Sequence, residues 1–192
     1  MFKLNEPLSD SIEFDGTIFD IDMSFDNVLD VFDVIQDNEL EPEEKIYTSL
    51  SLLIGEDQTE TLSIYEMTSL FSQIKEQCIQ MNISNQVYDL EGNPMELPGQ
   101  SKEPDFSLVH DAELIFTSFI QAYSIDLHEQ YGKMHWQKFR ILLRDLPDDT
   151  KFKRVIEIRN WVPTKGTTSE ERAKMRELQK IYELPIEEGG ND

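Results

Sequence analysis

Apolar and polar positions alternate from Ser11 to Ile21; from Phe25 onward apolar residues recur instead at steps of three and four. The alternation predicts a β-hairpin. Asp15-Gly16 is the dipeptide that a two-residue type I′ turn favours. Such a turn sets Phe14 opposite Thr17 and Ile12 opposite Phe19, which places Ile12, Phe14, Phe19 and Ile21 on one face. A lone hairpin is unstable in water, so that face needs a cover. The next segment supplies one, because Ser24 can cap a helix whose Phe25, Val28, Leu29, Phe32 and Ile35 repeat at helical spacing.

Pro42 marks the start of a second helix, with Glu43 and Glu44 in its first turn, Ile46, Leu50, Leu53 and Ile54 facing inward, and Gly55 as terminator. Ser63 and Glu66 form a capping box for a third, which carries Ile64, Met67, Phe71, Ile74, Cys78 and Met81. The stretch from Asp105 to Trp161 holds both tryptophans and all three histidines and reads as three more helices. Ala112, Ile115, Phe116, Phe119, Ile120 and Tyr123 line the first of these. Met134, Trp136, Phe139, Leu142, Leu143 and Leu146 crowd so much of the second that it belongs at the centre of the fold. Phe152, Val155, Ile156, Ile158 and Trp161 line the third, with Asp148, Asp149 or Thr150 to cap it after Pro147 ends its predecessor.

Two breaks interrupt this series. Residues 84–105 combine prolines and glycines without helical period and read as a linker or long surface loop, in which Val87, Tyr88 and Leu90 can pair with Met95 and Leu97 as an edge hairpin. After Pro163 and Gly166 a last helix starts at Thr168 or Ser169, with Glu171 completing a capping box. Its apolar residues, Met175, Leu178, Ile181, Tyr182 and Leu184, make only a narrow seam, which packs lightly or waits for a partner; the tail beyond it should fray. The expected architecture is mainly α, a helical bundle of about six helices with a small N-terminal β-hairpin. Residues 1–162 form a single helical domain containing the hairpin (11–21) and the loop (84–105), and residues 163–192 form the C-terminal helix and tail.

Composition changes this picture in one respect. A hydrophobic content of 39% with 10% aromatics sustains a core despite the charge, but the net charge is -22 and is unevenly spread. Residues 1–100 carry 3 Lys and Arg against 22 Asp and Glu, whereas residues 130–180 carry 13 against 7. An acidic N-terminal half repels phosphate, so nucleic acid is not an expected partner. The acids keep the chain soluble or steer it toward a basic partner.

No pattern calls for a reaction. The carboxylate stripe Asp26, Asp30, Asp33 and Asp37 lacks the glycine-bearing loop that calcium requires and reads as solvated surface. His128 and His135 stand seven apart with no cysteine nearby, which is not a zinc spacing, and His135 reads as a hydrogen-bonded structural histidine. Cys78 falls in line with an apolar helix face and reads as a small buried hydrophobe. No glycine-rich phosphate loop occurs. The chain is therefore expected to be non-enzymatic, with no catalytic, cofactor-binding or metal-binding residues. With a single cysteine and no apolar run of signal or membrane-spanning length, it is expected in a cytoplasm, without a membrane partner.

The run Asp111, Ile115, Phe119, Gln121, Tyr123, Ile125, Asp126, Leu127, followed by Met134, His135, Trp136, Phe139, Leu142, Leu143, Leu146 and Pro147, resembles the signature of the bacteriophage gene-product-fifteen family. That family occurs in the tail-gene clusters of long-tailed phages of Gram-positive bacteria. The resemblance implies a non-catalytic tail assembly chaperone that holds the tape-measure protein in the host cytoplasm. The partners it implies are phage tail proteins, the tape-measure protein first, with self-association also open. The candidate partner-binding residues, on the narrow seam of the last helix, are Met175, Leu178, Ile181 and Tyr182. The alternative is a head-tail connector or tail-completion protein retained in the virion; an acidic decoy resembling DNA is a weaker third.

Overall fold

The Asp15-Gly16 turn has positive φ at both central residues, 47° and 78°, as a type I′ hairpin needs. In this computed structural model, which describes residues 5, 7–79, 87–88, 94–95 and 105–185, it joins β1 (Ser11–Phe14) to β2 (Thr17–Asp20). The register pairs Ile12 with Phe19 and Phe14 with Thr17, as the alternation requires. Ile12, Phe19 and Ile21 are buried while Ile18, on the opposite face, is exposed. Gly16→Val should therefore lower stability by about 1–2 kcal/mol, because a β-branched residue is strained at positive φ. Nothing lies near the added Cβ, so the cost is conformational alone. Thermal denaturation checks it: a fall of several degrees is expected, and an unchanged melting temperature would contradict the turn assignment.

The protein is mainly α. After the hairpin come α1 (Phe25–Gln36), α2 (Pro42–Ile54), the short α3 (Glu56–Thr59), α4 (Ile64–Ile74) running into a π-helical turn (Lys75–Ile79), α5 (Ala112–Tyr123), a 3-10 turn (His128–Gln130), α6 (Trp136–Arg144), α7 (Lys151–Arg159) and α8 (Ser169–Ile181). Between α4 and α5, Val87–Tyr88 (β3) pairs antiparallel with Pro94–Met95 (β4). The other expectations for residues 84–104, for Met81 and for the tail from Ile186 lie outside the described residues. The chain forms two compact units, Met1–Ile83 with His128–Arg144, and Ser84–Leu127 with Asp145–Asp192.

In the first unit α6 is the insert around which the N-terminal elements pack. Trp136 is fully buried and stacks on Phe139 at 5.5 Å, with Phe32 tilted against it at 5.6 Å. Phe139 in turn stacks on Phe25 at 5.1 Å. Burying an indole N–H demands an acceptor, and Trp136 Nε1–H donates to the Ile79 carbonyl at 3.1 Å. The entry to α6 is sewn to the entry to α1: Trp136 N–H donates to Met23 O, Phe25 N–H to Met134 O, and Gly132 N–H to the Asp26 carboxylate. Leu50, Leu53, Leu70 and Ile74 complete the core.

Helix ends follow the sequence in part. Pro42 begins α2 and Gly55 ends it at φ 88°, and Ser63 with Glu66 makes the expected box on α4. Ser24 occupies the N-cap position of α1, but its hydroxyl donates to Asp22 Oδ1 instead of capping. Ile64 is exposed, and α4 buries Leu70 and Ile74.

The second unit packs α5 against α7. Of the residues assigned to the inner face of α5, Ile115 and Phe119 are buried, but Ala112 and Ile120 are exposed and Ser118 is buried in their place. Ser118 has a reason to be there. Its Oγ accepts from Phe152 N–H, one of the donors that the first turn of α7 leaves unpaired. Thr150, at the N-cap of α7, donates its own hydroxyl to Pro147 O, so the cap comes from α5 and not from the local sequence. Phe152 and Val155 point inward, with Phe106 edge-on to Phe152.

Candidate partner-binding surface

No residue of α8 is buried, although the helix is well formed. Its N-terminus is held locally: Glu171 N–H donates to Thr168 Oγ1, and Thr168 N–H and hydroxyl donate back to the Glu171 carboxylate. Those bonds to Thr168, backbone first, hold the Glu171 carboxyl below its ordinary value. A depressed carboxyl stabilises the helix above the ordinary carboxylate range, and that contribution is lost as pH falls through the lowered value.

The other end is held by polar contacts. Arg159, the last residue of α7, forms a bidentate pair with Asp111, both N–O distances being 2.7 Å, and donates through Nε to Tyr182 O at 2.6 Å. Its Nη1 also reaches Asp105 O. Gln179 Nε2 bonds the carbonyls of Arg159 and Trp161. Asp111, which begins α5, is buried, and it spends its side chain on Arg159 and on Ser107 N–H. This latch joins the C-terminal ends of α7 and α8. Residues 169–174 are all exposed, and at 1.5 Å per residue they begin about 15 Å along the helix from Gln179.

The four residues singled out from the sequence do not share one environment. Met175, Leu178 and Tyr182 are half-buried, whereas Ile181 is 64% exposed and Val162, just after the latch, is 68% exposed. Neither Arg159 nor Gln179 was identifiable as a latch from the sequence. The only signal for Arg159 is a cation in the last turn of a helix, where it suits the dipole.

Other chemistry-bearing groups are dispersed. His110 and His128 are exposed. His135 Nδ1 accepts from Gln137 N–H at the start of α6, which leaves the ring proton on Nε2, 3.1 Å from Asp10 Oδ1. Cys78 is half-buried, and burial pushes its thiol up, away from the reactive thiolate. A cleft rimmed by Asp10, Asp20 and Asp22 lies over Leu52, Leu53 and Ile54, and Asp22 there is already committed to Ser24. Among the described residues no group of three or more His, Cys, Asp or Glu side chains could hold a metal ion, and no helix is long and apolar enough to cross a membrane.

No curated protein and no solved structure matches the chain. A family profile described as Bacteriophage Gp15 protein matches residues 4–184, which spans both units, the Trp136 core, the Asp111–Arg159 latch and α8. With nearly the whole chain matched, the protein belongs to the bacteriophage Gp15 family.

Proposed function

We propose that this phage protein is a non-catalytic tail assembly chaperone that holds the tape-measure protein in the host cytoplasm, and that α8 is its client-binding element. The observation that carries the reading is a helix capped and latched by polar contacts while none of its side chains is fully buried. Most helices in proteins form because they bury an amphipathic face. One that keeps its form by a capping box and a latch stays available to a partner, and helical clients are recognised through such apolar positions. The acidic surface keeps the complex soluble.

Ile181→Asp tests this. At this exposed position the substitution should cost no more than about 1 kcal/mol, the size of the effect of a carboxylate at the C-terminal end of a helix. Co-purification with the tape-measure product should fall severalfold, and the yield of full-length tails should fall with it. Normal binding and normal tails would show that the client docks elsewhere. Mass analysis of purified particles separates this role from a connector, since a chaperone is absent from virions or scarce in them.

A further inference from the structure

Arg172, Arg176 and Lys180 follow one another at four-residue steps on α8 and so form one cationic stripe about 12 Å long. All three are exposed, and the ion pairs found among the described residues, His135–Asp10 and Arg159–Asp111, include none of them. Like charges at this spacing destabilise a helix, and in a chain with 39 acids to 17 bases an unpaired cationic row is unexpected. Lys180 and Ile181 project about 100° apart, so this row is separate from the position proposed to take the client.

The first unit carries the complement. Asp30 and Asp33 stand exposed on α1, in line with Asp26, and the exposed C-cap residue Asp37 continues the row, which spans about 16 Å. The nearest partner of Asp37 is a backbone amide, that of Glu39. Partial burial, and then the neighbouring carboxylates Asp33 and Asp26, push the Asp30 carboxyl above its ordinary value. Each row places like charges one helical turn apart, and the two are opposite in sign and comparable in extent, about 12 Å against about 16 Å.

We propose that the cationic row of α8 docks on the carboxylate row of α1 in a second copy of this chain. The contact joins two different surfaces, so it is heterologous, and repetition gives a ring or an open helical assembly and not a closed two-fold dimer. It relieves the repulsion within both rows. It does not depend on the identity of the client.

Sedimentation velocity of the full chain at low and high sodium chloride tests the proposal. Two molecules of net charge -22 repel, and salt screens that repulsion, so non-specific association would strengthen with salt. The α1–α8 contact behaves oppositely: the dissociation constant should rise about tenfold from low to high salt. A chain carrying Arg172→Glu, Arg176→Glu and Lys180→Glu should sediment as a monomer at low salt, and so should one carrying Asp30→Lys and Asp33→Lys. Mixing the two should restore association, because each then offers the other a complementary row. A wild-type chain that is monomeric at low salt, association that strengthens with salt, reversed chains that associate like wild type, or a mixture that stays monomeric would each overturn the proposal. A monomeric wild type that binds polyglutamate through α8 would assign the row to an acidic partner of another kind, and that too overturns it.

Discussion

Trp136→Ala is expected to cost about 3–5 kcal/mol, a large share of the roughly 5–15 kcal/mol that holds a typical domain folded. The indole is fully buried in contact with Phe139 and Phe32, so truncation opens a cavity against side chains held on two elements. It also orphans the Ile79 carbonyl, which ends the π-helical turn and takes its bond from Trp136 Nε1–H. Trp136→Phe separates the two effects: it keeps most of the apolar volume, removes the donor, and should cost less. Chemical denaturation followed by far-UV circular dichroism measures both. A loss below about 1 kcal/mol for the alanine variant would contradict the central place of α6 in the first unit.

Arg159→Met should be comparably damaging to the second unit, at about 3–5 kcal/mol, because removing one partner of a buried pair leaves the other charge uncompensated. Asp111 is buried, and without the guanidinium it keeps only the Ser107 N–H. The effect differs from a core truncation in two ways. Adding Asp111→Leu to the Arg159→Met chain should recover much of the loss, since an apolar pair of similar shape carries no desolvation penalty. The amides of α8 should also exchange faster with solvent, because Tyr182 O loses its donor from the latch. Recovery of stability without recovery of α8 protection is the expected signature, and hydrogen exchange reads it directly. Protection of α8 unchanged by Arg159→Met would mean that apolar packing and not the latch holds the helix.

The sequence by itself determined what nearest neighbours decide. The hairpin and its register, the starts of α2, α4 and α8, the end of α2 at Gly55, and the apolar character of α6 were all legible, because turn dihedrals, capping boxes and helical periodicity act over a few residues. The tertiary structure decided where those pieces go. The three helices between Asp105 and Trp161 read as one continuous stretch, yet α6 packs with the N-terminal elements while α5 and α7 form the core of the other unit. The bonds that separate them join residues such as Asp26 and Gly132, or Trp136 and Ile79, whose distance along the chain hides them from any periodic pattern. Two helix starts differ from the local pattern: the Ser24 and Thr150 hydroxyls donate to Asp22 Oδ1 and Pro147 O and accept no N–H of their helices, and the donor at the start of α7 is met by Ser118 from another helix. The candidate surface divides in the same way. The narrow seam of α8 was visible as a pattern, but which of its residues are covered depends on Arg159 and Gln179, polar side chains whose partners exist only once the chain has folded.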